Sequence, residues 1–229
     1  MFLEPERDQP HREIPGKAQS FPIPERIPVF PLPNVVFFPK TYLPLHIFEP
    51  RYRQMVADAA AGGQCIGMAL LKEGWEEQYD GNPPIFPVGC VGRLASVQAL
   101  PDGRSNILLQ GLDRYEVHEE FYEKPYREAR VSLRPRLREF SMDPPLRRYL
   151  MEILDEYLQA DEEASSLHSL ARPDVTDEVF VNSLSTYLDC TPLEKQFLLE
   201  AEHLPQQARR LRDLIQFKLA ERRGAGGWS

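Results

Sequence analysis

The cysteine and histidine side chains are the groups of this chain most able to do covalent chemistry. Cys65 and His46 could form a nucleophilic pair in which the imidazole accepts the thiol proton. No spacing brings the two residues together, and Cys65 lies in the uniformly apolar run CIGMALL, where a cysteine is normally an inert core residue. The sequence therefore favours a structural Cys65 and predicts no catalytic residue.

Metal binding and ATP hydrolysis each need a residue spacing that the sequence does not contain. The other histidines show no ligand spacing, and the three cysteines include no CxxC pair. The phosphate-binding pattern GxxxxGK[ST] is also absent, because Gly16-Lys17 has no glycine at the required preceding position. We expect no metal and no cofactor. The histidines excluded in this way are His11, His118, His168 and His203.

A group of arginines is the feature that favours nucleic-acid binding. Arginine occurs at positions 130, 134, 136, 138, 147 and 148. Tyr126 is the one aromatic residue closely interleaved with them, and Glu128 and Glu139 dilute the positive charge. The formal net charge of -8 disfavours the attraction to phosphate that supplies most non-specific affinity. The sequence thus favours a solvated face, and an RNA-binding protein is the alternative function.

Composition and the amino-terminal segment predict the compartment. Three widely spaced cysteines suggest no disulfide framework, which fits a reducing cytoplasm. The start of the chain mixes charges and prolines where a signal peptide needs an apolar core, and no apolar run approaches bilayer-spanning length. We expect a cytoplasmic protein without a membrane segment, whose residues 1–25 form a flexible proline-rich arm.

Residues 26–135 carry the short apolar segments that are typical of strands. Prolines divide the stretch after Ile27 into two or three short strands. The apolar run 65–71 predicts a strand that is buried on both faces and central to a sheet. A Pro-Asp-Gly turn at 101–103 predicts a hairpin, and the alternation of apolar and polar residues from 129 to 134 predicts a half-buried strand.

Helical patterns occur within and after this β-rich domain. A first helix is expected to begin at Pro50 and to end in a left-handed conformation at Gly62-Gly63. From Pro144-Pro145 the apolar period becomes 3.6, and Thr191 to Glu194 predicts a capping box for a short helix. The expected organisation is a β-rich domain at 26–135, a helical bundle at 144–222 and a disordered tail at 223–229. The predicted buried stripe of the first helix is Tyr52, Met55, Val56 and Ala59.

Two stretches of the chain resemble the amino-terminal domain of the Lon proteases. The first is IPVFPLPNVVFFPKTYLPLHIFEPRYRQMV, in which Pro31 to Pro39 and Phe48 to Tyr52 supply the family's proline-bounded segment and its F-E-P-R-Y motif. The second is GCVGRLASVQALPDGRSNILLQGLDRYEV, with Gly111 and Arg114 in a G-x-x-R pattern. The resemblance covers about residues 27–135 well, and the helical remainder only in layout.

This resemblance implies both a fold and a function. The implied fold is α+β, a twisted PUA-like pseudo-barrel of mostly antiparallel strands followed by a small helical bundle. The implied function is a non-enzymatic protein-binding module, similar to the substrate-recognition domain of Lon proteases, that binds exposed hydrophobic or unfolded segments. A separate protease or chaperone is a further candidate partner. The family's ATPase and protease domains are not expected in this chain.

Two sets of residues are candidates for the binding site. Strand alternation would turn one pair of the apolar run Val35, Val36, Phe37 and Phe38 outward, beside Tyr42, as a patch that captures unfolded segments. The residues of the family motifs could contact a partner, but a mainly structural role is favoured. Glu49 would then offset the helix dipole, and Arg114 would hold the hairpin. The motif residues are Glu49, Pro50, Arg51, Tyr52, Gly111 and Arg114.

Overall fold

The structure is a computed structural model that describes residues 21–78, 81–135, 142–158 and 174–225. It has an α+β fold, as predicted. The strands are β1 Arg26–Leu32, β2 Tyr42–Ile47, β3 Cys65–Leu70, β4 Val88–Ala99, β5 Ser105–Phe121 and β6 Glu128–Leu133. The helices are α1 Pro50–Ala61, α2 Pro144–Leu158, α3 Asp177–Tyr187, α4 Pro192–Leu199 and α5 Leu204–Ala225.

Strand pairing closes the sheet into a barrel. The strand order is β2-β5-β4-β3-β1-β6, and β6 also pairs with β5, so that five strands form a ring and β2 extends it. The 17-residue β5 makes this closure possible, because its first half pairs with β2 and β4 and its second half pairs with β6. Only the β1–β3 pair is parallel among the strand pairs of the described residues. The predicted pseudo-barrel of mostly antiparallel strands is confirmed.

Alternate side chains of the five ring strands fill the interior of the barrel. Tyr115 is fully buried there and donates a hydrogen bond to the Met68 carbonyl oxygen at 3.0 Å. A Cβ at Gly89 would collide with this tyrosine and with the Met68 carbonyl. Glycine is therefore required where the aromatic ring of Tyr115 crosses β4. Every residue of β3 is buried, as predicted for a central strand. The interior residues are Ile27, Val29, Cys65, Ala69, Val91, Tyr115, Ala129 and Val131.

The opposite faces of the strands pack against the helices in one continuous core. Phe30, Met68 and Leu109 on the strands belong to the same cluster as Leu154 of α2 and Phe180 of α3. The four residues that were predicted as the buried stripe of α1 are all buried in this cluster. The helices after residue 144 therefore share their core with the barrel.

The ends of several elements differ from the predictions. Helix α1 ends at Ala61, and its C-cap residue Gly62 has a φ of -115°. The left-handed residue is Gln64, with a φ of 52°. The amide of Gln64 donates to the Ala59 carbonyl oxygen at 2.9 Å, so this turn satisfies the helix end without a left-handed glycine. Helix α5 continues to Ala225, so the first three residues of the predicted tail 223–229 are helical.

The predicted flexible arm 1–25 lies mostly outside the described residues, as do residues 226–229. Its described end is packed against the barrel. Phe21 and Ile23 are partly buried against the interior cluster, and the Glu25 carbonyl oxygen accepts a hydrogen bond from the Val131 amide at 2.8 Å.

Candidate functional site

A cleft of about 530 Å³ opens at the end of the barrel where β1 and β3 finish and α1 begins. Four segments that are distant in the sequence form its walls. They are the end of β1 with the following loop, the end of β2 with the start of α1, the residues after β3, and the connection between β5 and β6. The lining residues lie within 30–33, 45–52, 71–83 and 122–127.

Ten of the 21 residues that line the cleft are aromatic residues or prolines. The Phe30 and Tyr52 rings are buried and pack with centroids 4.2 Å apart. Phe48 and Tyr122 are exposed at the edge of the cleft. A buried aromatic floor with exposed aromatic rings beside it is typical of a site that binds apolar groups. Trp75, Tyr126 and four prolines, at 31, 33, 83 and 125, complete this lining.

The F-E-P-R-Y motif forms one wall of the cleft. Pro50 occupies the first turn of α1, where its missing N–H costs no hydrogen bond. Glu49 is the N-cap residue, but its side chain makes no capping hydrogen bond and pairs with Arg51 at 2.9 Å. The Arg51 guanidinium also lies 4.8 Å from the centre of the Tyr52 ring. The motif thus places a charged pair and an aromatic ring on the cleft surface as well as starting the helix.

Lys124 and Tyr126 form a second polar cluster in the cleft, and their polar atoms have partners within the protein. Lys124 donates to the Tyr126 hydroxyl at 2.9 Å and pairs with Glu128 at 3.2 Å, which raises the pKa of Lys124. Tyr126 donates in turn to the Asp58 carboxylate at 2.5 Å. This hydrogen bond lowers the pKa of Asp58, so the carboxylate stays charged.

Arg127 is buried at the cleft, and its hydrogen bonding is incomplete. Its Nη2 donates to the Pro83 carbonyl oxygen at 2.6 Å. Its Nε lies 3.2 Å from Glu120, an ion pair whose geometry is not that of a hydrogen bond. Its buried Nη1 finds no acceptor within the described part of the chain. A buried donor without an acceptor costs about 1 to 3 kcal/mol, so this atom is suited to an acceptor from a bound molecule.

The apolar run from Val35 to Phe38 does not form the predicted exposed patch. The run is a loop and not a strand, so alternation with period two does not apply. Val36, Phe37 and Phe38 are buried, and Val35 is half-buried. A Cβ at Gly111 would collide with the Phe38 carbonyl, so this glycine allows the loop to lie on β5. Of the predicted patch, Tyr42 alone is exposed, at 53%, and it lies on β2 outside the cleft.

The side chain of Arg114, which was predicted to hold the hairpin, contacts main-chain carbonyl groups elsewhere in the chain. It is 3% exposed and donates to the carbonyl oxygens of Leu199 at 3.0 Å and of Glu202 at 3.3 Å, as well as to those of Ala201 and Pro135. Burial, with the nearby charge of Arg134, lowers the pKa of Arg114 to about 10, which still leaves it charged at neutral pH. The cation thus binds carbonyl groups after the last turn of α4 and joins the helices to the barrel.

The structure does not bring Cys65 and His46 together as a nucleophilic pair. Cys65 faces the barrel interior, and its thiol donates to the Gly63 carbonyl oxygen at 3.1 Å. Burial raises the pKa of Cys65 to about 11, so the thiol is protonated at neutral pH. His46 lies on the exposed face of β2, where its Nδ1 is 2.8 Å from the Asn106 side-chain oxygen.

Several arginines of the basic group are engaged within the protein. Arg130 pairs with Glu119 at 2.7 Å, Arg147 pairs with Asp177, and Arg134 donates to the Glu200 carbonyl oxygen at 3.3 Å. Positions 136 and 138 lie outside the described residues. These contacts favour the interpretation of the group as a solvated face.

Within the described ranges of the chain, no helix has both the length and the apolar character needed to cross a bilayer. The same ranges hold no group of three or more histidine, cysteine, aspartate and glutamate side chains that could bind a metal ion.

The sequence patterns did not predict the cleft. The F-E-P-R-Y motif, which forms one wall, was favoured as mainly structural, and Trp75, Tyr122 and Arg127 of the other walls were not predicted as site residues. The available signal is weak: prolines at 83, 84 and 125 lie near aromatic residues in two irregular segments. Only closure of the barrel brings these segments beside the F-E-P-R-Y motif.

Comparisons with known proteins place these features in a family. The family model of the ATP-dependent protease La (LON) substrate-binding domain matches residues 26–216. A Lon protease from Flavobacterium johnsoniae is 28% identical over 191 residues, which are 81% of this chain and 23% of that protein. Lon protease 2 from Myxococcus xanthus is 32% identical over 117 residues, which are 51% of this chain and 14% of that protein. The chain thus spans a quarter or less of each of these two relatives.

Two solved structures share the fold. The Lon N-terminal domain protein from Xanthomonas campestris superposes with a TM-score of 0.61 at 21% identity, covering 83% of this chain and 97% of that one. The N-terminal domain of a Mycobacterium avium complex Lon protease gives a TM-score of 0.64 at 17% identity, covering 83% and 98% of the two chains.

Proposed function

This chain belongs to the family of Lon substrate-binding domains, and from that premise we propose that it binds exposed polypeptide segments through the cleft beside α1. A domain of this family recognises substrate and is itself non-catalytic. The proposed ligands are hydrophobic or unfolded segments of other proteins.

The observation that carries the proposal is the aromatic surface of the cleft. Its volume of about 530 Å³ lies within the usual range for binding sites, about 300 to 1,000 Å³. This space accommodates a few side chains and is too small for a folded domain. An extended segment could therefore insert its apolar side chains between the Phe30–Tyr52 floor and the exposed rings of Phe48 and Tyr122.

Binding by apolar burial favours unfolded chains over folded proteins. Apolar burial stabilises a complex by about 25 cal/mol for each Å² removed from water. Folded proteins keep most large apolar side chains inside, whereas unfolded segments expose them. A cleft with aromatic walls and few directional contacts would accept many sequences with modest affinity.

Site-specific photo-crosslinking tests the proposal. Benzoylphenylalanine is introduced at Phe48, which is 59% exposed beside the cleft, and separately at Phe217, which is 58% exposed on α5. Each variant is irradiated with a reduced, carboxymethylated protein as the unfolded ligand. We expect crosslinks from position 48 and none above background from position 217, because the two positions differ in location and not in exposure.

The native, disulfide-bonded form of the same ligand is the matched control and should crosslink weakly. Equal crosslinking from both positions, or none from position 48 at saturating ligand, would contradict binding in the cleft.

A further inference from the structure

The cleft contains cations as well as aromatic rings, and they indicate which part of a polypeptide it binds. We propose that the cleft captures the free α-carboxylate at the carboxyl terminus of a polypeptide with apolar last residues, and that Arg127 is the carboxylate-binding residue. This inference rests on the proposed function and specifies its ligand.

The first argument is the state of Arg127. The residue is 5% exposed and lines the cleft, and two of its three nitrogens already contact Pro83 and Glu120. The third, Nη1, is buried and has no acceptor in the described part of the chain. A guanidinium binds a carboxylate through paired N–H groups, and such charge-assisted hydrogen bonds are about twice as strong as neutral ones. An incoming carboxylate oxygen would complete the hydrogen bonding of this side chain.

The second argument is the charge of the cleft surface. Arg51, Lys124 and Arg127 line the cleft, whereas Glu49 is the only carboxylate among its described lining residues. The start of α1 also borders the cleft, and a helix amino terminus carries partial positive charge. The lining residues themselves thus include three cations and one carboxylate. Asp58, Glu120 and Glu128 lie outside the lining, pair with Lys124 and Arg127, and offset this positive charge.

The third argument is the position of the aromatic rings relative to these cations. The Tyr122 ring lies 5.6 Å from the Arg127 guanidinium carbon, and its hydroxyl donates to Glu120 at 2.7 Å. We infer that a movement of this ring, which is 47% exposed, would give a ligand access to the buried Nη1. The last side chain of the bound polypeptide would then rest on the Phe30–Tyr52 floor while its carboxylate reaches Arg127.

An internal peptide segment would use this site less well. It offers only neutral carbonyl groups to a buried cation, and these form weaker hydrogen bonds than a carboxylate does. An aspartate or glutamate side chain presents the same carboxylate chemistry, so the experiment must separate that source from the chain terminus.

The test compares ligands on the unaltered protein. A short fluorescein-labelled peptide ending in Leu-Tyr-Phe is prepared with a free carboxyl terminus and with a terminal amide, and binding is measured by fluorescence anisotropy. We expect the amide to bind about tenfold more weakly, or worse, because it loses a charge-assisted hydrogen bond. Equal affinity for both forms overturns the inference and leaves binding of unfolded chains, tested by crosslinking, intact.

A third peptide is the amide with a glutamate as the penultimate residue. If it binds as tightly as the free acid, the site binds any carboxylate, and the proposal that it recognises a chain terminus is wrong. Failure of all three peptides to bind also overturns the inference.

Variants of the protein assign the effect to Arg127. In Arg127→Gln, the ratio of the two affinities, acid over amide, should fall to about one, whereas a merely structural arginine would weaken both peptides equally and leave the ratio unchanged. The matched control is Arg104→Gln, which removes an exposed arginine that pairs with Asp102 on the hairpin turn and should keep the full ratio. If Arg127→Gln does not fold, the comparison of acid and amide on the unaltered protein still decides the question.

Discussion

Two buried arginines of the barrel occupy different regions, and their hydrogen bonding differs in kind. At the junction with the helices, Arg114 donates to four carbonyl groups. At the cleft, Arg127 leaves Nη1 without an acceptor in the described chain. Burying a cation is costly unless its donors are paired, so a complete set of partners marks a structural arginine. An incomplete set at a cleft marks a place where a ligand can supply the missing partner.

Replacing each arginine by methionine tests this comparison directly, and Arg114→Met should have the largest effect. It leaves the carbonyl groups of the α4–α5 connection without a donor in a buried position. We expect a loss of about 3 kcal/mol or more in the free energy of unfolding, measured by urea denaturation. Arg104→Met, on the exposed hairpin turn, should change it by less than about 1 kcal/mol. If Arg114→Met lowered the free energy of unfolding as little as Arg104→Met does, Arg114 would not be a structural arginine.

Arg127→Met should destabilise the protein less, by about 1 kcal/mol. The variant loses the hydrogen bond to the Pro83 carbonyl and the ion pair with Glu120, but it also removes a buried donor without an acceptor among the described residues. The same urea measurement checks this value. A loss as large as that of Arg114→Met would show that Arg127 is mainly structural and that the two arginines do not differ.

Tyr126→Phe tests whether the other polar group of the cleft is satisfied internally. The Tyr126 hydroxyl lowers the pKa of Asp58 in the folded protein, so its stabilising effect is present above the ordinary pKa of aspartate and is lost as the pH falls through the lowered value. The variant should therefore be less stable than the unaltered protein at about pH 6, and the difference should shrink by about pH 3. Urea midpoints at the two pH values measure it. A difference that is the same at both values would contradict the contribution of this hydrogen bond.

Phe48→Ala should have the smallest effect on stability and a clear effect on binding. The side chain is mostly exposed, so the free energy of unfolding should change by less than about 0.5 kcal/mol. Loss of an aromatic contact beside the cleft should weaken peptide binding by about tenfold, as measured by anisotropy. Phe217→Ala, at an equally exposed position on α5, is the control and should leave binding unchanged.

The sequence predicted those features that depend on a few neighbouring residues. The capping box at Thr191 is present with both hydrogen bonds, at 2.7 and 3.2 Å, because its two partners are three residues apart. The buried stripe of α1, the central strand β3 and the hairpin at Pro101 follow from local periodicity and turn chemistry in the same way. Strand alternation misled in the loop from Val35 to Phe38, where there is no strand, and at the end of β6, where Leu133 is exposed.

The partners of Arg114 and the composition of the cleft were decided by tertiary structure alone. Arg114 bonds to carbonyl groups as many as 88 residues away, and no local pattern encodes such a distance. The cleft likewise unites residues from Phe30 to Arg127, of which the family motif supplies one wall. By itself the sequence determined the helices, the strands and the family resemblance, because propensity, capping and periodicity act over a few residues. Closure of the barrel determined which loops meet, and therefore which side chains could form a binding site.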